Sequence, residues 1–260
     1  MYNAKYNDFN KERWNRISRN KGNSFTIPIT HKELVEAKNK PIEVALTVGK
    51  AVPVEWFEKA KGNKLVGLAC GGGQQGPIFS IKGYETTIMD FSEAQLDSDR
   101  LVADREGLTM TTVQADMTKK FPFDDESFDI IFCPVSNAYV EDLENMWQES
   151  FRVLKKGGLL MVGYMNPWIY MYDADTVWDY PEKELFLKYN LPFNSRQLEE
   201  EGVIKIDPEY GYEFSHTLES QIGGQLKAGF AMIDFYESQD SRNRLTKYGK
   251  DYLANLCVKL

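Results

Sequence analysis

Residues 66–77 read Val66-Gly-Leu-Ala-Cys-Gly-Gly-Gly-Gln-Gln-Gly-Pro77, an apolar run that enters a glycine turn and leaves it at a proline. Glycines let a backbone pass close to a ligand, and Pro77 suits the first turn of a helix whose unpaired N–H groups face the same side. A nucleotide-like molecule lying across such a turn needs a partner for its sugar. Asp90 closes the next apolar run and is placed to accept hydrogen bonds from a ribose diol. Asp116 closes the run after that, in position to accept from an adenine amino group. Either aspartate alone reads equally as a helix N-cap. Three such features at consecutive run ends point instead to one site.

Gly71 to Gly76 also fits the dinucleotide pattern G-x-G-x-x-G, with Asp90 near the expected distance, so the turn alone leaves both NAD and S-adenosylmethionine (SAM) open. The elements that position it come from residue 64 onward, where short apolar runs alternate with helices. Lys64–Ala69, Thr86–Asp90, Met110–Ala115, Phe128–Cys133 and Leu159–Met165 read as strands. Pro77–Ile81, Glu93–Glu106 after an N-cap at Ser92, and Leu143–Leu154 read as helices, the alternation that a parallel sheet covered on both faces requires. Lys155-Lys-Gly-Gly158 reads as the end of the last of these, with cations in the final turn and a glycine cap. A helix from Ser215 to about Lys227 precedes strands Ala231–Glu237 and Tyr252–Lys259, which lack a helix between them and must pair as a hairpin or lie as antiparallel neighbours.

Residues 1–62 form a helical extension in this reading. Asn10–Arg19 carries Trp14 and Ile17 among charges, Thr30 and Glu33 have capping-box spacing, and Pro53–Ala60 is a third helix ended by Gly62. The extension is expected to fold over the ligand as a lid on a domain of residues 63–260. Residues 166–214 form an inserted lobe dense in aromatics: Trp168, Tyr170, Tyr172, Trp178, Tyr180, Phe186 and Tyr189. They supply either the lobe's own core or a pocket for a flat or cationic molecule.

Several motifs in order carry a family resemblance: Leu68-Ala-Cys-Gly-Gly-Gly73, Met89-Asp-Phe-Ser92, Gln114-Ala-Asp-Met117, Phe121-Pro-Phe-Asp-Asp-Glu-Ser-Phe-Asp-Ile-Ile-Phe132 and Phe151-Arg-Val-Leu-Lys-Lys-Gly-Gly158. Over about residues 64–165 the chain resembles the class I SAM-dependent methyltransferases, most closely the small-molecule branch with the generic methyltransferase domain. The resemblance implies an α/β, doubly wound, seven-stranded, mostly parallel Rossmann-like sheet with an antiparallel terminal strand pair. It implies SAM as cofactor, held by Ala69, Cys70, Gly71, Gly73, Gln75, Asp90, Phe91, Asp116, Met117 and Pro134. One departure stands out. Members carry an acidic residue inside the first strand and a glycine two positions later, where this chain has Gly67 and Ala69. The methionine end of SAM must therefore be held differently, with Gln74 and Gln75 as substitute contacts.

Methyl transfer from a sulfonium is an in-line displacement, so the protein has mainly to align donor and nucleophile and exclude water. By resemblance the fourth-strand end, Cys133 to Tyr139, lies beside the methyl, which makes Ser136, Asn137 and Tyr139 candidates to orient an acceptor. His216, at the expected start of the late helix, is the candidate base, ahead of His31. Cys70 and Cys133 end adjacent strands and read as buried, inert thiols.

A net charge of −8 disfavours a phosphate backbone as partner. Three scattered cysteines and two histidines encode neither a disulfide framework nor a metal cluster. The chain shows no run of about 18 apolar residues and no secretory signal, so a cytoplasmic protein of a small-molecule substrate is expected, with a homodimer left open. Competing readings are an NAD-dependent oxidoreductase, a SAM-binding protein without transferase activity, and a macromolecular methyltransferase. Against the last stands the absence, at the fourth-strand end, of the Asn/Asp-Pro-Pro-Tyr/Phe signature of nucleic-acid amino methylases. Fold resemblance licenses a reaction type and leaves the acceptor atom open.

Overall fold

The apolar runs become seven strands: β1 (Lys64–Leu68), β2 (Glu85–Asp90), β3 (Met110–Gln114), β4 (Phe128–Cys133), β5 (Leu154–Met165), β6 (Phe230–Ser238) and β7 (Tyr252–Lys259). The computed structural model describes residues 4–21, 23–173, 177 and 184–260. The strands form one sheet in the order β3-β2-β1-β4-β5-β7-β6. Strands β1 to β5 pair in parallel, while β7 runs antiparallel to both β5 and β6 and lies between them. The expected mostly parallel sheet with an antiparallel terminal pair is therefore what the chain forms.

Continuous apolar runs suit strands buried on both faces, and Leu65, Val66, Ile130, Ile131 and Phe132 are wholly buried. One face packs under α6 (Glu144–Val153) through Trp147, Met146 and Val153. The other packs under α3 (Val54–Glu58) and α4 (Gln75–Ile81) through Trp56, Phe57 and Phe79. At the edge of the sheet, α5 (Glu93–Glu106) is opened by Ser92, whose hydroxyl accepts from the Gln95 amide, and closed by Gly107 at φ 66°.

The N-terminal extension begins with α1 (Ala4–Asn20), longer than the charge pattern suggested, followed by α2 (His31–Lys38) behind the Thr30–Glu33 capping box. Helix α1 packs against α5, and its Asn15 carboxamide oxygen accepts from Ser92 Oγ at 2.8 Å and from the Ala94 amide at 3.2 Å. Its other flank meets residues 206–214, where Tyr6, Ile206, Tyr212 and Phe214 form a small apolar cluster.

Two local expectations fail. Lys155-Lys-Gly-Gly158 does not cap α6: the helix stops at Val153 and β5 starts at once with Leu154, which pairs with Phe128 ahead of a register shift. Gly157, at φ 78°, serves that irregular strand start, and a Lys-Lys-Gly-Gly string reads the same whether it ends a helix or kinks a strand. The late helix does not begin at Ser215. His216 sits at φ 57°, a π-helical turn covers Glu219–Gly223, and only Gly224–Lys227 is α-helical.

Candidate active site

β1 ends at Leu68, and Ala69 turns into the left-handed region at φ 45° while its amide donates to the Met89 carbonyl at 2.7 Å. That conformation costs a residue with a Cβ about 1–2 kcal/mol. A Cβ on Gly71 would lie 2.7 Å from Gln95 Cβ and 3.0 Å from Asp90 Oδ2, and one on Gly73 (φ 71°) would lie 2.6 Å from the Ser98 carbonyl oxygen. Close approach of α5 therefore imposes glycine here. Asp90 ties the turn to β2: Oδ2 accepts from the Gly71 amide at 3.0 Å and Oδ1 from the Ser92 amide at 2.8 Å. Burial pushes its pKa up to about 6 against the pull of those amides. Asp116, past the end of β3, accepts from the Thr118 amide at 2.8 Å and from Asn7 of α1 at 3.4 Å.

The acid absent from β1 has a counterpart in α5. Asp99 is fully buried beneath the turn, and its Oδ2 accepts from the Gly72 amide at 3.0 Å. Its Oδ1 has no partner, and burial, reinforced by the charge of Asp90, pushes its pKa up to about 8. Nothing in the glycine motif announces this residue. The available signal was an acid on the buried face of α5, where Gln95, Asp99 and Val102 recur at i, i+4 and i+7. Gln74 and Gln75 line the cavity below, yet they tie the turn to the extension. The Gln74 carboxamide donates to the carbonyls of Ser24 (2.6 Å) and Ile27 (2.7 Å), and Gln75 Oε1 accepts from the Ala45 amide at 2.9 Å.

A single cavity of about 1340 Å³ runs along the carboxyl ends of the strands. It exceeds the roughly 300–1,000 Å³ usual for one small ligand. Ala69, Cys70, Gly71, Gln75, Asp90, Phe91, Asp116, Met117 and Pro134 line one end. Gly73, expected among them, does not reach it, since its carbonyl accepts from the Ile29 amide at 2.9 Å. The other end is walled by Tyr139, Tyr170, Tyr189, Phe193, Glu213 and Tyr252, and Trp14 of α1 also borders the space. The aromatic lobe both packs into a core and borders the cavity. Ile169, Tyr170, Val177 and Leu245 pack into a core, while Tyr170, Tyr172 and Tyr189 also border the cavity. Phe186 is exposed, and Trp178 and Tyr180 lie outside the described residues.

The expected acceptor-orienting residues separate. Ser136 and Tyr139 line the cavity, and burial raises the Tyr139 phenol well above its ordinary pKa. Asn137 and His216 stand behind the wall. Asn137 is fully buried and donates to Gln221 Oε1 at 2.7 Å, while His216 Nε2 lies 3.2 Å from the Asn137 carbonyl oxygen and burial lowers its pKa. His216 therefore braces the β4 loop rather than facing a substrate. His31 pairs with Glu106 at 2.8 Å on the surface. Cys70 and Cys133 are buried free thiols; burial, with the charges of Asp99 and Asp90, raises Cys70, and burial pushes Cys133 up to about 12. Such thiols stay protonated and unreactive. Glu213, which neither motif nor spacing singled out, borders the cavity from the lobe.

A parallel sheet whose last strand is slotted in antiparallel, with a glycine turn after β1 and carboxylates at the ends of the next two strands, defines the class I methyltransferase architecture. A family model described as "Methyltransferase domain" matches residues 66–162. The "Uncharacterized methyltransferase YbaJ" of Bacillus subtilis (strain 168) is 38% identical over 241 residues, 92% of this chain and 93% of that protein. A sterol 24-C-methyltransferase of Gibberella zeae is 34% identical over 104 residues, 39% of this chain and 27% of that protein. Among solved structures, an S-adenosylmethionine dependent methyltransferase from Mesorhizobium loti superposes with a TM-score of 0.59 at 19% identity, covering 78% of this chain and 94% of that one. Geranyl diphosphate C-methyltransferase from Streptomyces coelicolor A3(2), in complex with Mg2+, geranyl diphosphate and S-adenosyl-L-homocysteine, superposes with a TM-score of 0.56 at 14% identity, covering 79% and 77%. The chain belongs to the methyltransferase family, and its methyl donor is SAM. The dinucleotide reading of Gly71–Gly76 ends with that assignment.

Proposed function

We propose that the chain methylates a small-molecule acceptor held at the aromatic end of the cavity, with SAM at the glycine-turn end. The observation that carries this reading is the continuity of one space between the two ends. SAM brings an activated methyl group; the chain's part is to hold donor and nucleophile in line and keep water out. The residues fit that donor. The glycine turn admits close approach, Asp90 and Asp116 offer acceptors at strand ends, and Gln95 Oε1 is buried beside Gly71 without a partner, ready for a donor group of a ligand. Ala69, Cys70, Gly71, Gln75, Asp90, Phe91, Asp116, Met117 and Pro134 form the donor subsite in this reading, and Ser136 and Tyr139 border the transfer point.

Residues 1–62 act as a lid on the catalytic domain of residues 63–260, and the lobe at 166–214 supplies the acceptor wall. The sterol and geranyl diphosphate enzymes act on small molecules, which supports an acceptor of that kind. The net charge of −8 argues against nucleic acid. Among the described residues no helix is long and apolar enough to cross a membrane, and three free cysteines suit the reducing cytoplasm.

The test uses methyl-labelled SAM, the purified chain, and a cell extract containing both metabolites and macromolecules. An enzyme-dependent labelled species other than SAM, resolved by chromatography of the fraction that passes an ultrafiltration membrane, is the expected result. Label retained on protein or RNA overturns the small-molecule acceptor. Tight S-adenosylhomocysteine binding with no transfer to any fraction would make the chain a SAM-binding protein instead.

A further inference from the structure

We propose that the acceptor carries a protonated amine and that Glu213, set among Tyr139, Tyr170 and Tyr252, binds it; this rests on the methyltransferase reading and narrows its substrate class. Glu213 borders the same cavity as the donor subsite. Its backbone is fixed from both sides: its amide donates to Ser195 Oγ at 2.9 Å and its carbonyl accepts from the Ser195 amide at 3.2 Å. The next amide, that of Phe214, donates to the Ala138 carbonyl at 2.8 Å, which docks the segment onto the loop at the end of β4 beside Tyr139. The carboxylate is thus held next to the place where the acceptor meets the donor.

Burial raises the pKa of Glu213, and Tyr170 Oη donates to its Oε2 at 3.1 Å. No cation among the described residues comes within ion-pair distance of it. The cations nearby are committed elsewhere: Lys188 to Asp173, and Arg242 to Asp240. Arg13 is buried; its Nε donates to the Glu209 carbonyl, its guanidinium lies 5.8 Å from the Tyr139 ring centroid and its Nη1 has no hydrogen-bond partner. Its charge acts on Glu213 from beyond ion-pair distance and only partly offsets the burial of that carboxylate. The surrounding phenols are held protonated: Tyr139 and Tyr170 by burial and the charge of Glu213, and Tyr252 by burial and the charges of Asp251, Asp240 and, less, Glu213. Neutral aromatic faces and one desolvated carboxylate are the complement of an ammonium group, through cation–π contact and a charge-assisted hydrogen bond. An anionic acceptor would meet repulsion, and a neutral one would leave the carboxylate with the Tyr170 hydrogen bond but no ion-pair partner.

Isothermal titration of the full chain, saturated with S-adenosylhomocysteine near neutral pH, with benzylamine, benzyl alcohol and benzoate separates these cases at constant ring size. Benzylamine should bind at least about tenfold tighter than the alcohol, the scale of a hydrogen bond to a charged group. Glu213→Gln should abolish that preference while leaving S-adenosylhomocysteine affinity within about twofold, and Glu213→Asp should keep its sign. Equal or tighter binding of the alcohol or benzoate, no detectable benzylamine binding, or a preference that survives Glu213→Gln overturns the proposal. Should Glu213→Gln fail to fold, the ranking of the three probes on the wild-type chain decides alone. Failure of S-adenosylhomocysteine to bind would instead strike the methyltransferase reading beneath it.

Discussion

Asp99 Oδ2 accepts a hydrogen bond from the Gly72 amide at 3.0 Å, so the glycine turn is held from below by an acid on α5. The family's usual acid sits inside the first strand, where this chain has Gly67. A Cβ on Gly67 would lie 2.9 Å from Ile88 Cδ1 and 3.0 Å from Cys70 Cβ, so an acid restored there would require the buried Ile88 and Cys70 side chains to shift.

Asp99 makes stability depend on pH in a definite direction. Its folded pKa of about 8 stands above the ordinary 3.8, so between those values the unfolded chain has released a proton that the folded chain keeps, and stability falls as pH rises. Asp90, at about 6, acts the same way only in the lower part of that window. From about pH 6 to 8 the wild type should therefore lose roughly 2–3 kcal/mol, and Asp99→Asn should lose far less. Urea midpoints at the two pH values check this, and parallel curves for the two proteins would refute it.

Ala69 at φ 45° holds a conformation natural to glycine. Ala69→Gly should stabilise the chain by about 1 kcal/mol, raising Tm by roughly 3 °C, with S-adenosylhomocysteine affinity retained. An unchanged or lower Tm in a thermal melt would show that the methyl group's packing outweighs the strain.

Asp90 is expected to bond the ribose of the donor while holding Gly71 and Ser92. Asp90→Ala should weaken S-adenosylhomocysteine binding by about 10- to 100-fold, the range for hydrogen bonds to a charged group, and Asp90→Asn by less. Titration calorimetry measures both, and wild-type affinity in the alanine variant would remove Asp90 from the donor site.

Asn15 fastens α1 to the start of α5 from a buried position. Asn15→Ala leaves the Ala94 amide and Ser92 hydroxyl without that partner and should cost roughly 1–3 kcal/mol. The urea midpoint should drop at constant slope; a changed slope would mean that the variant alters the compactness of a state rather than this bond.

The central strands β1, β4 and β7 were legible because buried strands write themselves as apolar runs, while the edge strands β3 and β6, largely half-buried or exposed, were placed by their rhythm along the chain; β1 to β4, β6 and β7 fall within a residue or so of the expected bounds. The glycine turn and the two carboxylates that border the cavity could be placed for a related reason: Gly71, Asp90 and Asp116 lie at or just after the ends of β1, β2 and β3. Asn137 and His216 were misplaced because sequence order says which loop a residue occupies and not whether it faces the cavity. Asn15 and Glu213 were missed because each reaches its partner from an element distant in sequence, and only folding brings Glu213 beside Ala138 and Asn15 beside Ser92; Asp99 was missed because an acid on the buried face of a helix does not say which turn it faces.

Helix α1 touches both ends of the cavity within one turn of itself: Asn7 reaches Asp116, and Asn10 exchanges hydrogen bonds with the Tyr212 backbone, donating to its carbonyl and accepting from its amide. A rigid rod shared in this way makes the two halves of the site a single heritable unit. Chimeras that trade the 166–214 lobe between relatives would need to carry the matching α1 with it, because a foreign lobe would pull on the donor end through the same helix.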